Sequence, residues 1–181
     1  MRSYVALLRG IAPTNPNMRN DKLRGVFEDL DFSNVRTVIT SGNVLFETDS
    51  SAVRALETKV QEALSKRLGF ASTAIIRSRT EIQALVDHDP FGRTDHSETN
   101  NLNVTFLKRK PRTAHTFPYR PPGRDYTIVE MYGRDICSVI DLTRAKTPDL
   151  MRWMEKEFGN EITTRTFKTV ERILTRLNES N

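Results

Sequence analysis

At 181 residues, with 37% hydrophobic and 28% charged side chains, the chain can bury a sizeable core and has the composition of a globular protein, which excludes a disordered or membrane-spanning one. Its single cysteine, Cys137, excludes an intrachain disulfide and a cysteine-built metal centre, and fits a reducing, cytoplasmic compartment. The formal charge of +5 lies wholly in the second half: residues 1–98 hold 13 basic and 13 acidic side chains, residues 99–181 hold 15 and 10, a surplus that suits an anionic partner as well as plain solubility.

The chain opens M-R-S-Y-V-A-L-L-R-G, an apolar run of five residues closed by Arg9. It is too short for a signal peptide or a membrane span and reads as a buried strand, so no membrane partner is expected. Pro13 and Pro16 keep the following loop out of a helix until about Asn17. Leu23, Val26, Phe27 and Leu30 then recur at helical spacing, with Asn17 or Asn20 available as a cap. Val35–Thr40, the Gly42-Asn43 turn and Val44–Phe46 spell a hairpin.

Asp49 or Ser50 starts a long helix whose Val53, Leu56, Val60, Leu64 and Leu68 share a face, and Gly69 ends it. Thr73–Ile76 is a fourth strand, and Thr80–Val86 a short helix with Thr80 as its cap. Strand, helix, strand, strand, helix, strand is the βαββαβ, ferredoxin-like order.

Residues 93–101 read as a polar linker between a first domain, 1–92, and a second α+β domain, 102–181. The second half offers a strand at Leu102–Leu107, a basic proline-rich loop, and a hairpin of Tyr126–Tyr132 and Ile136–Leu142 around Gly133-Arg134-Asp135. Two helices follow, one from near Pro148 to Gly159 and one from about Phe167 to Leu177. The fold class is α+β, with a smaller second half.

In the βαββαβ order the first and second strands run parallel, so the loops that leave them share one end of the sheet. Arg9, Gly10, Asn15, Asn17, Ser41, Gly42 and Asn43 should gather there beside a helix N-terminus, a set of hydrogen-bond donors with one cation that suits a phosphate, carboxylate or carbonyl-rich ligand. The same residues equally serve a turn that needs positive φ and loops that tie down their own backbone.

Y-V-A-L-L-R-G-I at 4–11, the helix M-R-N-D-K-L-R-G-V-F-E-D-L-D-F, V-R-T-V-I-T-S-G-N-V-L-F at 35–46, D-P-F at 89–91, L-N-V-T-F-L at 102–107 and the ending T-T-R-T-F-K-T-V-E-R-I-L resemble the bacterial domain of unknown function 1697 family. The resemblance spans nearly the whole chain. It implies a cytoplasmic α+β protein with a ferredoxin-like first part, no established activity, and importance for Arg9, Gly10, Ser41, Gly42 and Asn43. The family's glycine-rich stretch after R-G-I is replaced here by Ala12-Pro13-Thr14-Asn15-Pro16-Asn17, a stiff loop ill suited to a flexible phosphate cradle.

The loop 108–124, K-R-K-P-R-T-A-H-T-F-P-Y-R-P-P-G-R, carries Lys108, Arg109, Lys110 and Arg112 with two aromatic rings, a composition suited to phosphates and stacked bases of single-stranded nucleic acid, or to an extended connector. Arg165, Lys168, Arg172 and Arg176 fall at spacings of three, four and four, one basic stripe on the final helix that could follow a phosphate backbone or simply face water. His88-Asp89 and Asp95-His96 match no metal motif of known geometry, and no metal and no cofactor is expected. Cys137 sits in an apolar strand and reads as a structural thiol.

The expectation is therefore a binding module for an anionic small molecule or nucleic acid. The alternatives are a small-molecule enzyme with its pocket at the 9–17 and 41–43 end, and a self-associating structural module. The sequence leaves the oligomeric state and any reaction open.

Overall fold

A computed structural model of the chain describes residues 1–92, 94, 97–144 and 149–179. They form two compact units, Met1–Gln83 with Arg172–Asn181, and Ala84–Glu171. Both are α+β.

The first unit holds β1 (Arg2–Leu8), α1 (Asn20–Glu28), β2 (Ser33–Thr37), β3 (Asn43–Thr48), α2 (Val53–Leu68) and β4 (Ala74–Ser78). The sheet order is β2-β3-β1-β4, with every neighbouring pair antiparallel. This is the ferredoxin-like arrangement. β1 and β2 both oppose β3 and so run parallel to each other.

Alternation along the strands decides the core. Tyr4, Ala6, Leu8, Val44, Phe46, Ala74 and Ile76 lie on one face, where Leu23, Val26 and Phe27 of α1 and Leu56, Val60 and Leu64 of α2 pack on them. Phe32 stacks on Phe46 with ring centroids 4.5 Å apart, and Phe27 approaches the same ring at 5.5 Å. The opposite alternation, Val5, Leu7, Leu45 and Ile75, is buried as well. Strands buried on both sides read as unbroken apolar runs, which is why Y-V-A-L-L was legible as a strand.

Local details depart from the sequence expectation at the element ends. α1 starts after Arg19 without a side-chain cap among the described residues; Asn17 Nδ2 instead donates to the Leu68 carbonyl (3.2 Å) and Asn20 Nδ2 to the Ile39 carbonyl (3.2 Å). α2 begins at Val53, because Ser50 Oγ closes a small turn by accepting from the Ala52 N–H. Gly69 ends it at φ +73°. The fourth strand is Ala74–Ser78, and the helix after it, α3 (Arg79–His88), is capped by Ser78, not Thr80. Ser78 Oγ accepts from the Glu81 N–H (3.2 Å) while Glu81 Oε2 accepts from the Ser78 N–H (2.8 Å), a reciprocal capping box.

The second unit holds β5 (Asn100–Leu107), β6 (Tyr126–Tyr132), β7 (Asp135–Asp141), α4 (Leu150–Phe158), β8 (Ile162–Thr166) and the start of α5 (Phe167–Asn178). Its sheet order, β6-β7-β5-β8, again all antiparallel, repeats that of the first unit strand for strand. α4 takes the place of α2. The place of α1 is taken by residues 108–125, which hold no helix among the described residues. β8 was not read from the sequence, because I-T-T-R-T carries one apolar side chain in five; its hydrogen bonds to β5 make it a strand.

Candidate anion-binding site

The structure brings two of the expected segments together. Leu7 pairs with Asn43, and the Leu8 N–H donates to the Gly42 carbonyl (2.8 Å), so Arg9 and Gly10 leave β1 beside Ser41-Gly42-Asn43. The Arg9 backbone is held from the other side, its N–H on the Thr73 carbonyl (3.0 Å) and its carbonyl accepting from Ser72 Oγ (2.8 Å). Asn15 and Asn17 are engaged elsewhere: Asn15 Oδ1 accepts from the Asn17 N–H (3.0 Å) to cap a 3-10 turn at Pro16–Met18, and Asn17 reaches Leu68.

Each residue of S-G-N has a structural task. Gly42 has φ +74°, and a Cβ there would lie 2.5 Å from Ile11 Cγ1 and 3.1 Å from Leu8 Cβ, so conformation and space both demand glycine. Asn43 is not a turn residue but the first residue of β3, and it is 1% exposed. Its Nδ2 donates to the Val38 carbonyl (3.0 Å) and to Ser41 Oγ (2.9 Å), while its own carbonyl accepts from the Val38 N–H (3.0 Å). β2 ends at Thr37, shorter than the expected strand to Thr40, because Ile39 turns to φ +49°.

That conformation costs a β-branched residue about 1–2 kcal/mol, and the turn sustains it through Asn43 on Val38 and Asn20 on Ile39. The Ile39 side chain is left 40% exposed.

Beside this turn lie two adjoining recesses. One, of about 330 Å³, is lined by Thr37, Val38, Ile39, Arg172, Thr175 and Arg176. The other, of about 270 Å³, is lined by Val35 to Val38 with Arg24, Leu45 and Arg176. All of these residues belong to the first unit. Four arginines, Arg24, Arg36, Arg172 and Arg176, thus border one stretch of the edge strand β2. Arg24 and Arg176 also make exposed ion pairs with Glu28 (3.4 Å) and Glu179 (2.9 Å), contacts that water screens. The Arg36 Nε is buried and has no hydrogen-bond partner among the described residues. A buried donor left in that state is costly and calls for an acceptor.

Sequence reasoning found Arg172 and Arg176 by helical spacing. It missed Arg24, Arg36, Thr37 and Ile39; the one available signal was an arginine placed between Val35 and Thr37 on a strand. Arg165 is corrected: it lies in β8 rather than on the helix. Its Nη1 donates to Thr163 Oγ1 (2.8 Å) and to the Thr164 carbonyl (2.9 Å), and burial lowers its pKa to about 10. Lys168 is exposed on α5 and lines a different recess, with Phe91 and Phe167.

In the 108–125 segment, Arg109, Lys110 and Arg112 are exposed, and Lys108 and Arg109 both pair with Glu161, at 3.7 and 3.5 Å. The aromatic rings of this loop are committed to the second unit's core: Phe117 and Tyr119 pack on it, and His115 stacks on Tyr119 at 4.0 Å with Trp153 at 6.0 Å. Cys137 is fully buried in β7, and that burial raises its thiol pKa. His88 stacks on Tyr132 at 4.3 Å and pairs with Glu130, whereas Asp95 and His96 lie outside the described residues. Among the described residues no group of three His, Cys, Asp or Glu could hold a metal ion, and no helix is long and apolar enough to cross a membrane.

The family model described as "Protein of unknown function (DUF1697)" matches residues 1–136, which include β1, the S-G-N turn, β5 and β6. The chain belongs to the DUF1697 family. Across 99% of each chain the fold is similar to that of a conserved bacterial protein, SP0830 from Streptococcus pneumoniae, with a TM-score of 0.73 and 18% sequence identity. Identity that low speaks for shared architecture alone. No curated protein matches this DUF1697 chain.

Proposed function

We propose that this DUF1697 protein is a binding module for an anionic ligand, held in the arginine-bordered recesses beside β2. The observation that carries this reading is the buried, unpartnered Nε of Arg36, next to Arg24, Arg172 and Arg176. A guanidinium presents a planar fork of donors that matches carboxylate and phosphate oxygens two at a time. In this reading the expected cluster has a different task. Gly42 and Asn43 shape the turn that supports Val38 and Ile39, and so position one wall of the recess without touching the ligand.

Thermal denaturation in the presence of pyrophosphate, nucleotides and polycarboxylates tests the reading. An anion at about a hundred times its dissociation constant stabilises the native state by about 2.7 kcal/mol, a rise in Tm of roughly 5–10 °C for a chain this size. Arg36→Gln and Arg172→Gln should abolish the rise and leave the Tm without ligand nearly unchanged. An absence of any rise, or a rise that both variants retain, overturns the reading.

A further inference from the structure

The recess has features that a small anion would leave unused. The Val38 N–H bonds to the Asn43 carbonyl, so Val38 and Asn43 are a hydrogen-bonded pair of the β2–β3 ladder, and Arg36 opposite Leu45 is the next. By the alternation of an antiparallel ladder, Thr37, opposite Val44, turns its N–H and C=O away from β3. β2 is the outermost strand of the sheet, so these groups face the side where the sheet ends, and Thr37 lines both recesses.

Ile39, two residues further on, is held at positive φ with its apolar side chain 40% exposed at the recess. Val35 and Val38 add apolar surface between the arginines. No aromatic ring is among the described lining residues, so a nucleobase would find no aromatic face to stack on.

A row of cations beside an open strand edge, interleaved with aliphatic side chains, is complementary to one kind of partner. We propose that the occupant is an extended peptide with alternating acidic and aliphatic side chains, which adds to β2 as a further strand. Its backbone pairs with Thr37, its carboxylates meet Arg36, Arg172 and Arg176, and an aliphatic side chain covers Ile39. The bulge between Ser33 and Arg36 breaks the edge on the other side, which confines pairing to the stretch beside the arginines. This proposal rests on the anion-binding reading of the same recess and names its ligand class.

The test is fluorescence anisotropy on the full chain with a labelled eight-residue peptide of alternating Glu and Val, the same peptide N-methylated at its odd or at its even positions, and an oligothymidylate of equal charge. The unmodified peptide should bind. One methylation register should weaken it tenfold or more while the other stays within about twofold, because only one edge of the added strand meets β2. Arg36→Gln should weaken it tenfold or more. Ile39→Gly should weaken it several-fold with a Tm no lower than the parent's, since glycine relaxes the turn.

Equal effects of the two methylation registers overturn strand addition. Arg36-dependent binding of the oligonucleotide or pyrophosphate without peptide binding overturns the peptide while the anion reading stands. Failure of every probe to bind in an Arg36-dependent way overturns both.

Discussion

The two units reach the same strand order by different means. In the first, the connection between the two parallel strands is an ordinary amphipathic helix, α1, whose Leu23, Val26 and Phe27 seal one face of the sheet. In the second, the equivalent connection is residues 108–125, rich in proline and basic side chains, and the sealing is done by Phe117 and Tyr119 with His115, packed toward Trp153 of α4. What the fold requires of that connection is apolar surface at the right place, not a helix. The consequence reaches function. A segment whose composition suggests a nucleic-acid loop has its rings turned to the core, while the proposed anion site draws Arg24 and Arg36 from residues 1–98, the part of the sequence with no net charge.

Truncation of one sealing side chain in each unit tests the equivalence, and it carries the largest expected effect. Phe27→Ala empties a fully buried position beside two aromatic neighbours, Phe32 and Phe46, a loss of about 3–5 kcal/mol in urea denaturation. Tyr119→Ala removes a half-buried ring stacked on His115 and should cost on the order of 1–2 kcal/mol. A near-zero cost for Tyr119→Ala would mean that the loop rests on the second sheet without sealing it.

The two hairpin turns sharpen the comparison at the next scale. Gly42 and Gly133 occupy matching turns at φ +74° and +62°, but only Gly42 has neighbours inside 4 Å of an added Cβ. Gly133→Ala should therefore cost only the conformational strain, about 1 kcal/mol, whereas Gly42→Ala adds overpacking against Ile11 and Leu8 for about 2–4 kcal/mol in all. Equal losses at the two sites would show that the close approach relaxes without cost.

What was legible in the sequence follows from the same physics. The first unit could be read almost whole because its strands are buried on both faces and its helices keep strict stripes. Even the shared end of the sheet at which the chain leaves β1 and β2 came from strand direction alone. The ends of elements could not be read so well, since Ser78, Thr80, Asn17, Asn20 and Ser50 are all good caps in isolation and only tertiary position chooses among them. β8 escaped because its stability comes from β5 and not from its own side chains. The recess escaped for a related reason: Arg24 on α1, Arg36 on β2 and Arg172 and Arg176 on α5 are about 150 positions apart at the extremes and share no periodicity. The positive φ of Ile39 is contrary to its residue type, so no propensity announces it.

The smallest difference lies in a pair of buried tyrosines. The Tyr4 hydroxyl donates to the Ser50 carbonyl (3.0 Å), whereas the Tyr126 hydroxyl, also buried, has no partner among the described residues. Tyr4→Phe should cost about 1 kcal/mol for the lost bond, while Tyr126→Phe should be neutral or slightly stabilising near pH 7, because it removes a polar group that folding leaves unsatisfied. Burial, with Asp149 adding to it, pushes the Tyr126 pKa from 10.0 up to about 12. The folded state therefore holds this proton more tightly than the unfolded one, so its contribution is intact below pH 10 and is lost as pH rises from 10 through 12. Urea midpoints of Tyr126→Phe should fall less steeply over that interval than those of the parent, with a residual slope from the buried Cys137 thiol, whose pKa is also raised. Identical alkaline slopes in parent and variant would mean that water reaches the Tyr126 hydroxyl and that the two tyrosines are equally satisfied.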